Sequence, residues 1–389
     1  MTTWFSKEAT LKVGMVVGEA SGDLLGAHLM SAILAQNPKA EFVGIGGPQM
    51  EALGFKSLYP QEKLAVRGLV EVLKRLPELI GIRKGVFQTL LRERPHVFVG
   101  VDAPDFNLAL EAKFKQKGIP AIHYVSPSVW AWRSERVPKI AKQVDHVLCL
   151  FPMEPPLYEA VGGKATFVGH PLAQTMPLMP DRVSMRQKMN LRQDLPIFTL
   201  MPGSRVSEID YMAPLFLAAA KLIAAKLPQA RFLVPLATVA STRRFKEVVS
   251  KTDSLDLPLT IMSGHAQMAC VASDVVLVTS GTATLEVALC KRPMVISYRI
   301  SGLTYAWVKG KIKSAYVGLP NILLNKPAVP ELLQNDATPE KLARAMLNWY
   351  EDKAACRAVM ADFTALHETL KQDTAKLAAD VVLKEAKRC

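Results

Sequence analysis

No run of uncharged residues in this 389-residue chain reaches the roughly 18 that a membrane-spanning helix needs. The opening stretch MTTWFSKEATLK lacks a basic region followed by an apolar one, so it does not read as a secretory signal. Any membrane contact is therefore expected to be peripheral. Cysteine is scarce. Cys149, Cys270, Cys290, Cys356 and Cys389 are scattered and include no C-x-x-C pair, and an odd set of this kind fits a reduced, cytoplasmic compartment better than a disulfide scaffold. There is no D-x-D motif, the usual ligand pair for metal-clamped nucleotide chemistry, and neither a metal nor a cofactor is expected. No G-x-G-x-x-G follows a strand pattern, which excludes the dinucleotide fingerprint. Zinc-finger spacing, an RRM-type aromatic signature and long Lys/Arg tracts are missing too, so nucleic acid is not the expected partner. Internal repeats and low-complexity segments are likewise absent.

What is present is apolar and basic. Half of the residues are hydrophobic, enough to bury two cores, and the length suits two domains. Lys and Arg number 48 against 35 Asp and Glu, a net +13 that favours a phosphorylated substrate or a lipid headgroup layer. Short apolar runs of strand length alternate with longer helical patterns, the signature of parallel βαβ units and an α/β fold. Strands are expected at 13–18, 42–45, 97–101, 121–125, 146–150 and 165–168, then at 197–201, 231–235, 259–262, 275–279 and 294–297. Residues 170–196 are rich in proline and charge without a strand, and are expected to link the domains. Two Rossmann-like domains are thus expected over 1–175 and 176–345. The pattern from Thr338 onward is helical, and a tail over 346–389 is expected to return to the first domain.

Polar motifs recur at the carboxyl ends of the expected strands, where open α/β sheets bind ligands. GEASGD follows the first strand, and its Gly18, Ser21, Gly22 and Asp23 form either an anion-binding turn at a helix terminus or a capped turn with Ser21 or Asp23 as N-cap. GIGGP at 44–48 lets backbone approach a ligand or simply turns the chain. VGVDAPDFN sets Asp102 against a buried strand tip, where partial burial can raise a carboxyl into the range of a general base; Asp105 reads as a helix N-cap, and Asn107 as a substrate contact. HYVSPSVWAWR at 123–133 carries Trp130, suited to stacking on a sugar or to anchoring the loop. FVGHP contributes His170, as a ligand contact or a hydrogen-bonded structural histidine.

The second half repeats the arrangement. PGSR offers Gly203, Ser204 and Arg205 to a diphosphate through backbone donors, a hydroxyl and a fixed cation. SGTATLE offers Ser280, Gly281, Thr282 and Thr284 to phosphates, with Glu286 one turn further on, where it could accept both hydroxyls of a ribose; the plainer reading makes Ser280 an N-cap and Glu286 a first-turn acid. Residues 64–94 mix Leu69, Val70, Leu73, Leu76, Leu79, Ile80 and Leu90 with Lys74, Arg75, Arg83, Lys84, Arg92 and Arg94. Such a helix either lies in a headgroup layer or packs one apolar face on a core.

In this order, GEASGD, GIGGP, VGVDAPDFN, HYVSPSVWAWR, VGHP, PGSR, SGTATLE and GLPNILL, spread over 18–324, resemble the lipid-A-disaccharide synthase family. The resemblance implies a GT-B fold of two facing Rossmann-like domains with a cleft between them, and an inverting glycosyltransferase without cofactor. The implied donor is UDP-2,3-diacylglucosamine, and the implied acceptor 2,3-diacylglucosamine 1-phosphate. A β(1→6)-linked disaccharide 1-phosphate and UDP would be the products. It implies functional roles for Glu19, Asp102 as base, Arg205 and Asn321 of GLPN, with Glu286 on the ribose. The implied location is the anionic cytoplasmic face of the inner membrane, and a homodimer is left open. Ala20 stands where the family often has threonine. The rival readings are a UDP-N-acetylglucosamine 2-epimerase-like enzyme and a noncatalytic nucleotide-sugar or lipid-binding protein.

Overall fold

The computed structural model describes residues 10–64, 69–302 and 314–388. It divides into two compact units, Met1–Gln174 together with Leu370–Cys389, and Thr175–Thr369. The first unit carries a seven-stranded parallel sheet in the order β3-β2-β1-β4-β5-β6-β7. Its strands are β1 (Lys12–Val17), β2 (Glu41–Ile45), β3 (Lys56–Ser57), β4 (Val97–Val101), β5 (Ala121–Tyr124), β6 (His146–Cys149) and β7 (Ala165–Phe167). The second unit carries a six-stranded parallel sheet in the order β10-β9-β8-β11-β12-β13. These are β8 (Ile197–Met201), β9 (Arg231–Leu236), β10 (Leu259–Ser263), β11 (Val275–Thr279), β12 (Met294–Tyr298) and β13 (Glu331–Leu333). Every strand expected from an apolar run is present. The two the sequence did not reveal, β3 and β13, are edge strands of two and three residues, too short to show a pattern.

Central strands such as β4 and β11 are buried at all five positions, because helices cover both faces of a parallel sheet. Over one face of the first sheet lies α1 (Ala20–Gln36), whose Leu25, Leu29, Met30 and Ile33 meet Val13, Met15, Val99 and Val101. Ala378, Ala379 and Val382, from the last helix Thr374–Ala386, enter the same cluster. On the other face, α3 (Leu69–Glu93) inserts Ile82, Val86 and Leu90 among Val16, Phe98 and the Leu110 and Phe114 of α4 (Pro104–Gln116).

The segment that rejoins the first unit begins at Leu370, later than the 346 boundary read from the sequence. The reason is packing: Leu342, Ala343, Met346 and Leu347 of the helix Pro339–Glu351 are buried in the second unit's core. The expected linker also corrects. Residues Arg182–Lys188 form a helix capped by Asp181, and Arg186 is buried, donating to the carbonyls of Ala272, Gln193 and Leu195 and to Asp274. That guanidinium ties the stretch into the second unit.

Both sheets reverse direction of growth after their first strand. β1 lies between β2 and β4, and β8 lies between β9 and β11. Helices leaving adjacent strands toward opposite faces open a crevice at the strands' carboxyl ends. GEASGD follows β1, DAPDFN follows β4, PGSR follows β8 and SGTATLE follows β11, so the four polar motifs stand at the two switch points.

Candidate active site

In the first unit, the switch point opens into a cavity of about 370 Å³. Glu19 and Asp102 stand on its polar side; Leu64, Leu76, Leu79, Ile80 and Phe106 make an apolar wall, and Arg83 adds one cation, 5.9 Å above the Phe106 ring. Asp102 and Ala103 are consecutive left-handed residues, at φ 52° and 44°. A left-handed pair ends the strand sharply and presents the Asp102 side chain to the crevice, while the Asp102 amide still donates to the Tyr124 carbonyl at 2.8 Å. Gly18 makes the close passage possible, since a Cβ there would lie 2.7 Å from that of Ala103. Burial pushes the Asp102 carboxyl above its ordinary range, the Ala103 amide and His123 oppose the shift, and Glu19 adds to it.

Several expected contacts turn out to hold the site together instead. Asn107 is fully buried, and its amide donates to the carbonyls of Val16, Val101 and Asp102, locking the tips of β1 and β4 to each other. It cannot reach a substrate. The helix α1 starts at Ala20 with Glu19 at its cap position, so Ser21 is an exposed first-turn residue, and neither Ser21 nor Asp23 is the N-cap. Asp23 is buried and accepts from the amides of Gly47, Gln49 and Met50. Its carboxylate thus fills the start of α2 (Pro48–Glu51), while Gly46, Gly47 and Pro48 of the GIGGP turn also line a cavity of about 310 Å³. Asp105 lies in the first turn of α4, where Ala103 holds the cap position; it is exposed and pairs with Arg136.

After β5, the indole of Trp130 donates to Glu154 at 3.2 Å, and the amide of Phe151 donates to the same carboxyl at 3.0 Å. Phe151 in turn stacks on His170, with ring centroids 5.5 Å apart. His170 accepts from the Leu172 amide through Nδ1, and burial pushes it down to about 4, so it is a neutral imidazole at ordinary pH. Trp130 stays half-buried at the carboxyl end of the sheet.

In the second unit, Arg205 is largely exposed at the start of the helix Val206–Lys226. The turn amides expected to meet a diphosphate are engaged: Glu208 accepts from the amides of Ser204 at 2.8 Å and Arg205 at 3.2 Å, and pairs with the Arg205 guanidinium. Gly203, at φ 120°, leaves room for this, since a Cβ there would meet Glu208 at 2.5 Å. In the turn after β11, Ser280 donates its hydroxyl to the Val317 carbonyl, while Gly281 (φ 155°) and Thr282 are exposed. Burial raises the Glu286 carboxyl above its ordinary range. Asn321 is buried, and its amide is saturated: it donates to the Val329 carbonyl and Glu331 and accepts from the Val329 amide. In this structure Asn321 holds the GLPN turn and does not face a ligand.

The match to a protein-family model for lipid-A-disaccharide synthetase covers residues 13–383. A lipid-A-disaccharide synthase from Chromobacterium violaceum is 61% identical over 385 residues, covering 99% of this chain and all of that one. The chain belongs to the lipid-A-disaccharide synthetase family. It is a glycosyltransferase of the GT-B class. Among solved structures, a glycosyltransferase from Rickettsia africae matches with TM-score 0.56 at 11% identity, covering 98% of this chain and all of that one. A UDP-GlcNAc 2-epimerase from Neisseria meningitidis matches with TM-score 0.59 at 10% identity, over 98% and 100%. At such identities the likeness shows the fold alone, shared by transferases and epimerases.

Within this family member, four functional features went unseen in the sequence. Arg83 and Phe106 join the cavity wall, Glu154 seats Trp130, and Glu111 pairs with His123 beneath Asp102. The signal that could have found Glu111 is a lone carboxylate on the apolar face of α4, where it must have a buried partner.

Proposed function

We propose that this enzyme transfers 2,3-diacylglucosamine from UDP-2,3-diacylglucosamine to the 6-hydroxyl of 2,3-diacylglucosamine 1-phosphate. The first-unit cavity carries the reading, because it sets the carboxylates of Glu19 and Asp102, with Asp105 at its rim, against a wall of leucine, isoleucine and phenylalanine with an arginine beside them. An acylated, phosphorylated sugar needs those three surfaces together. Asp102 takes the proton of the acceptor hydroxyl as it attacks the donor's anomeric carbon, and attack from the face opposite the leaving UDP inverts that centre. Glu19 stands across the same cavity and orients the acceptor. Arg205 and the turn at Ser280, Gly281 and Thr282 receive the diphosphate, while Glu286 holds the ribose. Phosphate binding at the PGSR amides requires Glu208 to move aside, because its carboxylate now occupies them.

The acyl chains place the reaction at an anionic membrane surface on the cytoplasmic side. Among the described residues, no helix is long and apolar enough to cross a membrane. In α3, Leu76 is 43% and Ile80 48% exposed, beside the basic Arg75, Arg83 and Lys84. Leu90 does not share that surface, being buried in the core, and the side chains of Leu69, Val70, Leu73 and Lys74 lie outside the described residues. The same helix therefore serves both expected readings in different turns.

Incubation with the donor and the 1-phosphate acceptor should release UDP and yield a disaccharide 1-phosphate of the summed mass. Turnover of UDP-N-acetylglucosamine alone would support the epimerase reading, and UDP-sugar binding without turnover the noncatalytic one. Activity should persist in EDTA.

A further inference from the structure

Directly beneath Asp102, the first unit buries a second acid-base pair that the proposed mechanism leaves unused. Glu111 of α4 and His123 of β5 are both without solvent exposure, and His123 Nδ1 lies 2.8 Å from Glu111 Oε1. The remaining atoms of this cluster are orphaned: Glu111 Oε2, His123 Nε2 and Asn107 Oδ1 are buried with no hydrogen-bond partner. Three such atoms in one place are costly, and a structural role alone does not account for them, since an apolar trio of similar volume would pack without penalty. Room has been made for the pair as well. Gly100 stands opposite His123 in the β4–β5 register, and a Cβ there would lie 2.1 Å from Glu111 Oε1 and 2.8 Å from the Cβ of Asn107. The cluster touches the site through two short links. Asn107 donates to the Asp102 carbonyl at 2.8 Å, and the Asp102 amide donates to the carbonyl of Tyr124, the residue after His123.

We propose that Glu111 and His123 form a positioning dyad that compensates the charge of Asp102, shifting one proton between His123 Nδ1 and Glu111 Oε1 as Asp102 changes its ionisation. This rests on Asp102 being the base. While Asp102 is a carboxylate, the shared proton sits on His123, giving an imidazolium on the Asp102 side and a carboxylate at Glu111 behind it. When Asp102 takes the proton of the acceptor hydroxyl, the shared proton crosses to Glu111 and leaves a neutral imidazole. No proton enters or leaves the dyad, its net charge is zero in both states, and nothing is oxidised or reduced. Glu19, Arg83 and Asp105 line the cavity with Asp102, Asp105 being paired with Arg136, while His123 addresses Asp102 from below. The direction of the effects agrees: burial raises Glu111 and Asp102, and His123 opposes both.

The test is the pH profile of kcat/KM for UDP release by the full chain. A base acts ionised, so the rate falls on the acid side through the Asp102 titration. In Glu111→Gln the carboxamide still accepts from Nδ1, yet no anion balances an imidazolium; in His123→Gln the cation is gone. Both variants should move the acid limb to higher pH by about one unit, with rates converging on wild type at high pH. A merely structural pair would lower thermal stability and scale the rate at every pH, leaving the limb in place, and that result overturns the dyad. Should either variant fail to fold, ¹⁵N spectra of the histidines decide: one buried imidazole should read as charged in the wild type and neutral in Asp102→Asn. Identical signals in the two also overturn it. If Asp102→Asn instead keeps its activity and the acid limb, the base assignment fails. Loss of activity there with unmoved limbs in the dyad variants refutes the dyad alone.

Discussion

Glu154 offers a test in which removing a charge should strengthen the protein. The residue is 1% exposed, and burial pushes its carboxyl up to about 7 against the donors that oppose the shift. The sign follows from linkage. The unfolded chain ionises this group above its ordinary 4.5, while the folded protein keeps it protonated until about 7. Folding therefore takes up a proton between those values, stability falls as pH rises from about 4.5, and the full deficit is present above 7. At about 1.4 kcal/mol for each tenfold in acidity, the deficit is roughly 3 kcal/mol. Glu154→Gln removes the charge but keeps one carbonyl acceptor for Trp130 or Phe151, at the loss of about 1 kcal/mol for the other bond. The variant should thus be about 2 kcal/mol more stable than wild type at pH 8 and about equally stable at pH 5, where half a unit above 4.5 has cost the wild type only about 1 kcal/mol. Chemical denaturation of both proteins at both pH values measures this, because every other titrating group cancels in the difference. An identical difference at pH 5 and pH 8 would refute the reasoning.

Asp102→Asn should lower turnover by roughly 100-fold or more with little change in thermal stability, and near-normal UDP release would remove it from the base role. Arg205→Ala should weaken UDP binding by about 1.5 to 3 kcal/mol in a calorimetric titration, with Glu286→Ala also weakening it; unchanged affinity in both would place the nucleotide elsewhere. Leu76→Ser with Ile80→Ser should lower sedimentation with anionic vesicles about tenfold or more, since each exposed side chain loses on the order of 1 kcal/mol of transfer. Because both side chains also line the first-unit cavity, the surface role is read from sedimentation alone, and unchanged binding to vesicles would contradict it.

The strands and their order of motifs were legible because a parallel sheet covered on both faces demands unbroken apolar runs, as in VFVGV and VVLVT. The polar turns after them were legible for the same reason, since each begins where such a run stops. What sequence could not separate was a polar side chain that meets a ligand from one that meets backbone. Asn107 and Asn321 stand in motifs that look catalytic, yet each amide is consumed by nearby carbonyls. That outcome depends on where neighbouring strand tips fall, which no spacing along the chain records. The pairing of Glu111 with His123 was hidden likewise, because the two lie on different elements and meet only across the β4–β5 register.

One glycine turn in each unit, GIGGP after β2 and PGSR after β8, solves the same problem in a similar way. A sharp strand-to-helix turn leaves several amides without partners, and in each unit an acid on a neighbouring helix answers such a need, from the preceding helix in the first unit and the following one in the second. Asp23 of α1 caps the amides of the GIGGP turn, and Glu208 caps those of PGSR. Their settings differ in burial: Asp23 is 2% exposed and holds its amides from inside the core, whereas Ser204 and Arg205 are exposed and the Glu208 side chain is 16% exposed, so displacing Glu208 costs less desolvation than displacing Asp23.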